Sequence, residues 1–221
     1  MKLKYKAISI ILFILCLSSC GLDNYDEPSS ELSGKVTYNG EAIGVKGTVE
    51  SVQLHLFQDG YDLRTEIPVF VGQDGSFKAL LFDGVYKMVA RDRNGPWLNT
   101  RDTVLVVVKG SSTCQYPVTP YYMINNTMFD VDNDNKLTAS FEVEKIAGNN
   151  TIESIFLLVS KTSFVDNVSQ VARVNLEKPT TGLANISLDL NSLNERFLFA
   201  RVGVKIDGVD EAIYSKIEKI K

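Results

Sequence analysis

Period-two alternation of apolar and polar residues, cut by turn dipeptides, constrains this chain more than any other feature. Successive side chains on a strand point to opposite faces, so alternation predicts half-buried strands. Over residues 49–57, Val52, Leu54 and Leu56 point one way, while Gln53, His55 and Phe57 point the other. The turn dipeptides are Asn39-Gly40, Asp59-Gly60, Asp74-Gly75, Asp83-Gly84, Asn94-Gly95 and Asp207-Gly208. These residue types tolerate the positive φ that tight hairpins demand. Five of the six precede residue 100, which predicts a dense set of short strands over 32–38, 49–57, 67–71, 76–81, 85–91, 103–108 and 113–118. Val104-Leu105-Val106-Val107-Val108 is apolar throughout, which predicts a strand covered on both faces. About seven strands with frequent turns read as a sandwich of two antiparallel sheets.

Pro117, Pro120 and Asn125-Asn126 then mark a break. Tyr121-Tyr122-Met123-Ile124 is too apolar for a free linker, so 121–129 is expected to lie wedged between two domains. Alternation resumes near Asp130: Leu137, Ala139, Phe141 and Val143 are interleaved with Thr138, Ser140, Glu142 and Glu144. Further strands are expected over 152–160, 171–176, 184–190, 197–206 and 212–220. In 197–206, Leu198, Ala200, Val202, Val204 and Ile206 share one face, and Phe197, Phe199 and Arg201 the other. The fold class is therefore all-β: two tandem antiparallel β-sandwiches, over 31–120 and 130–221, the second of immunoglobulin or fibronectin type.

The first 20 residues carry a separate signal. Lys2, Lys4 and Lys6 form a positive head, and residues 7–17 are an apolar run broken only by Ser9. A membrane span needs about 20 apolar residues, so this run fits the hydrophobic region of a signal peptide over 1–19. Leu17-Ser18-Ser19-Cys20-Gly21 resembles a bacterial lipobox, which makes Cys20 the expected lipidation site and implies cleavage before it. Several acyl chains at about 0.8 kcal/mol per buried methylene give a firm anchor. The acidic, turn-rich stretch 20–30 reads as a tether, and it also resembles the export signals of surface lipoproteins in Bacteroidetes. Removing 19 of 221 residues leaves 202, and losing three of 23 basic residues against 27 acids takes the net charge from −4 to −7. That balance argues against nucleic acid as a partner. Cys16 leaves with the signal and Cys20 is modified. Cys114 then stands alone, is expected to be a buried inert thiol, and leaves no intramolecular disulfide.

Several stretches resemble the carboxypeptidase-regulatory or transthyretin-like module: Leu32-Ser33-Gly34-Lys35-Val36, Tyr38-Asn39-Gly40-Glu41-Ala42-Ile43, Asp74-Gly75-Ser76-Phe77 and Gly84-Val85-Tyr86-Lys87-Met88. Ala42 stands where that module usually has Pro. Leu22-Asp23-Asn24-Tyr25-Asp26, Gly47-Thr48-Val49-Glu50-Ser51-Val52, Gln58-Asp59-Gly60-Tyr61, Leu81-Phe82-Asp83-Gly84 and Asn94-Gly95-Pro96-Trp97 are similar to a two-domain Bacteroidetes lipoprotein family of unknown function. Members of that family are typically encoded beside starch-utilisation-type outer-membrane transporters and glycan-capturing lipoproteins. The resemblance implies a lipid-anchored outer-membrane protein of a nutrient-uptake system, at the cell surface or facing the periplasm. It carries no catalytic or ligand residues to transfer.

The richest candidate loop is 91–102, which holds the chain's one Trp. A sugar site needs a flat aromatic face and planar polar side chains. Trp97 would supply the first, and Arg93, Asn94 and Asn99 the second. The preferred alternative is structural: large aromatics are usually buried, so Trp97 would pack the end of the sandwich. Tyr61, Tyr121, Tyr122 and Phe129 could form an aromatic surface, with inter-domain packing preferred. Asp130, Asp132 and Asp134 alternate like the start of an EF-hand loop. However, Asn135 replaces its Gly and Phe141 its bidentate Glu, with Glu142 one place late, so a solvated acidic turn is expected and no metal. His55 stands mid-strand with no nucleophile near it in sequence, and reads as a bystander. Asp102-Thr103-Val104 fits a short O-glycosylation acceptor pattern. No cofactor and no catalytic activity are expected. The function read here is a non-catalytic accessory lipoprotein that binds a glycan or braces an outer-membrane transporter complex. The alternative is a structural or adhesive cell-surface lipoprotein with no small-molecule ligand.

Overall fold

The computed structural model describes residues 26–60 and 65–221. The signal peptide over 1–19, Cys20, most of the tether and Tyr61 lie outside the described residues. Among those described, no helix is long and apolar enough to cross a membrane.

The first unit contains β1 (Ser30–Tyr38), β2 (Glu41–Ala42), β3 (Gln53–Gln58), β4 (Ile67–Phe70), β5 (Ser76–Leu81), β6 (Gly84–Ala90), β7 (Val104–Val108) and β8 (Ser111–Pro117). One sheet places β1 between β8 and β5, with β2 continuing the β5 edge; the other runs β4-β3-β6-β7. Alternation sets the inner faces. Leu32, Val36, Phe77, Leu81 and Tyr116 from the first sheet meet Leu54, Leu56, Tyr86, Met88, Val106 and Val108 from the second, all buried. Each such aliphatic side chain contributes about 1.5–3 kcal/mol relative to exposure. The Tyr116 hydroxyl fastens the layers, accepting from Ala90 N at 2.8 Å and donating to Asp102 O at 3.0 Å.

The second unit contains β9 (Tyr122–Val131), β10 (Lys136–Lys145), β11 (Ile152–Ser160), β12 (Ala172–Asn175), β13 (Gly182–Asp189), β14 (Phe199–Ile206), β15 (Ile213–Tyr214) and β16 (Glu218–Lys219). Its sheets are β13-β10-β9 and β12-β11-β14-β15, with β16 also on β14. Leu198, Ala200, Val202, Val204 and Ile206 are fully buried, as their shared face predicts. The regular structure of the described residues is thus almost entirely β, in two sandwich units.

The structure departs from the alternation in five places. β7 is an edge strand rather than a covered one, with Leu105 66% and Val107 67% exposed. An unbroken apolar run does not by itself distinguish a central strand from an edge. Residues 48–50 form a 3-10 turn with Val49 at φ 60, so β3 begins only at Gln53. β1 and β8 pair in parallel, because the chain crosses from one sheet to the other between β7 and β8; side-chain alternation is blind to strand direction. Most of 121–129 is strand β9, in register with β10, rather than linker. Residues 212–220 split into β15 and β16.

The two units share a polar, close-packed junction. Tyr214 N donates to Gly44 O at 3.0 Å, an isolated bridge between units. Thr48 N donates to Asp166 Oδ2 at 3.1 Å. The Gln73 amide clasps the 163–165 segment, donating to Ser163 O at 2.7 Å and accepting from Val165 N at 3.3 Å. At the centre lies Arg201, only 1% exposed. Its Nε donates to Ser215 O (2.8 Å), Nη1 to Val45 O (3.0 Å) and Val165 O (3.4 Å), and Nη2 to Gln73 O (2.5 Å). Its guanidinium lies 4.5 Å from the Tyr214 ring centre. Burial pulls the guanidinium pKa down to about 10, still well above neutrality.

Candidate functional site

The loop 91–102 leaves β6 at Ala90 and is pinned along both sides. Asn94 N closes a turn on Arg91 O at 3.2 Å, with Arg93 at φ 52 taking the left-handed position. Trp97 bridges to Pro120, and Leu98 N donates to Thr119 O at 2.8 Å. Tyr121 N then donates to Pro96 O at 3.2 Å, which ties the loop to the start of the second unit. Gly95 is fixed by close approach: a Cβ there would stand 2.2 Å from the Trp97 ring.

This arrangement distributes the four sequence candidates unequally. Trp97 is 4% exposed and packs into the core, so its ring is no open platform. Asn94 turns inward: its Oδ1 accepts from Gln53 N (2.7 Å) and its Nδ2 donates to Ser51 O (2.6 Å), which spends its amide on holding the loop to β3. Asn99 is exposed but also engaged, accepting from Arg93 N (2.9 Å) and donating to Asp92 Oδ1 (2.7 Å). Arg93 presents an exposed side chain.

Arg93, Gly95, Trp97 and Asn99 nevertheless border one cavity of about 320 Å³, closed on its other side by Tyr121, Gly208, Val209 and Asp210. The second wall comes from the turn after β14, where Gly208 has φ 72 and Asp207 N donates to Thr151 O at 2.9 Å. The result is a cleft between units bordered by a cationic residue, a carboxylate, an amide and two aromatic residues. Such groups can hydrogen-bond hydroxyls and pack against an apolar ring face. Asp210 was missed in the sequence, where nothing distinguishes it from other turn acids.

Of the remaining sequence candidates, Tyr121 alone borders that cavity. Tyr122 is buried, donating to Asn150 O at 2.8 Å, and Tyr121 and Phe129 are half-buried against the core. His55 Nδ1 stands 3.0 Å from Glu66 Oε2. Asp132 Oδ1 accepts from Asp134 N (3.0 Å) and Lys136 N (2.9 Å), closing an acidic turn, and no group of three or more potential ligands that could hold a metal occurs among the described residues. Cys114 is half-buried, and burial raises its thiol pKa. Thr103 is exposed just before β7.

Residues 30–119 match the N-terminal domain of DUF3823, described as a protein of unknown function, and residues 122–219 match the DUF3823 C-terminal domain. A DUF3823 protein from Parabacteroides merdae is 44% identical, with a TM-score of 0.84 over 89% of this chain and all of its own. One from Bacteroides ovatus is 35% identical, with a TM-score of 0.80 over 86% of this chain and 98% of its own. A Bacteroides uniformis protein for which carbohydrate binding has been suggested shares the fold at 18% identity, with a TM-score of 0.71 over 88% of this chain and all of its own. No curated protein matches. With both domains matched in order across nearly all of the described residues, the chain belongs to the DUF3823 family.

Proposed function

We propose that this protein is a non-catalytic, lipid-anchored accessory protein of the outer membrane that captures a glycan in the cleft between its two sandwiches. The observation that carries this reading is the convergence of Arg93, Asn99 and Asp210 beside Trp97 and Tyr121. The suggested carbohydrate binding of the Bacteroides uniformis relative supports it, as does the lipobox around Cys20. A cleft of about 320 Å³ fits one or two sugar units at a chain end rather than a long polysaccharide.

The only Trp borders this cleft, so its emission reports on occupancy directly. Titration of the protein with a glycan panel should shift Trp97 fluorescence and release heat for at least one member. Arg93→Ala and Asp210→Ala, both at exposed positions, should weaken that response without altering the unfolding transition. Silence in both signals across the panel refutes glycan capture. Labelling cells with a fatty-acid probe tests the anchor: Cys20→Ala should lose the label, and protease shaving of intact cells then separates surface display from a periplasmic orientation.

A further inference from the structure

A second cavity of about 360 Å³ lies at the junction and shares no lining residue with the Trp97 cleft. Its walls include the apolar side chains of Ile43, Met123, Ile124, Ile213 and Ile217, and Arg201 and Gly44 border it. A guanidinium has five N–H groups. Arg201 gives four of them to carbonyl oxygens; the fifth, on Nη2, meets no acceptor among the described residues. No carboxylate there pairs with it within 4.0 Å. Asp166 is close enough to act on it through space, yet its oxygens accept from Thr48 N, Val168 N, Ser169 N and Ser169 Oγ. Asp74 also acts on it through space, and its Oδ1 accepts from Ser76 N and Ser76 Oγ. Buried cations are ordinarily matched by a carboxylate, because dipoles alone compensate desolvation incompletely.

Gly44 lets the backbone pack closely over this group, which borders the cavity although Arg201 is only 1% exposed. A Cβ at that position would stand 2.6 Å from Arg201 Nη2 and 2.5 Å from Tyr214 O. Lys35 and Lys216 line the same cavity with exposed side chains, against the acids Glu41 and Asp74. The lining therefore carries three cations and two acids, one of the acids already hydrogen-bonded, beside a mostly aliphatic wall.

We propose that this cavity binds a small amphipathic acid, with its carboxylate on Arg201 Nη2–H and the Lys216 and Lys35 ammonium groups and its apolar body on the isoleucine wall. The proposal is independent of glycan capture at the other cleft. The probe is 4-phenylbutyrate, titrated calorimetrically into the full chain and compared with uncharged 4-phenylbutanol after blank correction. The acid should bind with one-to-one stoichiometry and the alcohol about ten-fold more weakly. Lys216→Glu, at an exposed position, should weaken the acid about five-fold or more, and Ile124→Thr should weaken both compounds. Arg93→Glu, in the other cleft, should change neither. Equal affinities for acid and alcohol, no heat from the acid, or no response to Lys216→Glu in a protein with unchanged unfolding overturns the proposal.

Discussion

Replacing Arg201 by Met tests whether one buried side chain couples the two sandwiches. Arg201 belongs to β14 of the second unit, but two of its four acceptors, Val45 O and Gln73 O, belong to the first. Gln73 O keeps another donor, Val45 N at 3.2 Å. Val45 O, Val165 O and Ser215 O take no other hydrogen bond among the described residues, so the variant strands three carbonyls. Each buried acceptor left without a donor costs about 1–3 kcal/mol. The contact with the Tyr214 ring, worth about 2 kcal/mol when desolvated, is lost as well. Against this stands the several kcal/mol of desolvation that the guanidinium no longer suffers. The opposing contributions leave a net loss of about 2 kcal/mol or more. For a cooperative unit of this size a loss of about 2 kcal/mol lowers Tm by about 4–8 °C. Lysine retains the charge but cannot reach four acceptors in a fork, so Arg201→Lys should lose nearly as much. Urea unfolding followed both by Trp97 fluorescence, which reports the first unit, and by far-ultraviolet circular dichroism measures loss and coupling together. The two probes should coincide in the native chain and separate in the variant. A loss under about 1 kcal/mol with coincident transitions would refute the reasoning.

Three further outcomes follow from named contacts. Burial alone would raise the Asp166 carboxyl, but hydrogen bonds from Thr48, Val168 and Ser169 outweigh it and hold the pKa below 3.8. Its stabilisation is therefore fully present above pH 3.8 and lost as pH falls through the lower folded value; Asp166→Asn should flatten that acid limb of the urea midpoint, and an unchanged limb disproves the assignment. Gly95→Ala drives a methyl to 2.2 Å from the Trp97 ring, so it should cost about 1–3 kcal/mol and shift Trp97 emission; a silent substitution would mean the loop gives way. Leu105→Thr, on the exposed face of β7, should change stability by no more than about 0.5 kcal/mol, whereas Leu54→Ala in the core should cost about 2–5 kcal/mol; similar values for the two would contradict the edge placement.

The strands and their inner faces were legible because burial imposes a period that sequence records. Leu54 and Leu56 against His55, and Leu198 through Ile206 at every second residue, are local patterns. Partnering is not local. The parallel pairing of β1 with β8 and the exposed position of β7 depend on which strand arrives from elsewhere, and Val104–Val108 reads the same in either setting. Turn chemistry was legible in part. Gly40, Gly60, Gly75 and Gly208 adopt positive φ, whereas at Asn94-Gly95 the left-handed residue is Arg93, and Gly95 answers to the Trp97 ring instead. The candidate loop was found from composition, but polar residues that bind and polar residues that brace have the same composition. Asn94 braces, and only its bonds to Gln53 and Ser51 reveal it. Arg201 left one trace, a charge inside the apolar run Phe199-Ala200-Arg201-Val202.

That trace matters because of where β14 lies. One of its faces fills the second sandwich, and the other carries Arg201 into a separate buried cluster of Phe156, Leu158, Val165, Ala212 and Tyr214. A strand covered on both faces needs a second layer, and the first unit helps to supply it through Gly44, Val45 and Gln73. Two sandwiches joined at a close-packed interior create re-entrant surface along the seam, and both the Trp97 cleft and the Arg201 cavity lie there. Arg201, which borders one of those cavities, is held by backbone carbonyls of both units, so ordering it adds little to the cost of binding. Loosening the seam should therefore weaken both sites together, even though they share no lining residue. Arg201→Met, at a temperature where both units remain folded, should reduce the Trp97 response to glycan as well as the heat of 4-phenylbutyrate binding. Loss of the second signal with the first intact would show that the seam does not position the Trp97 cleft.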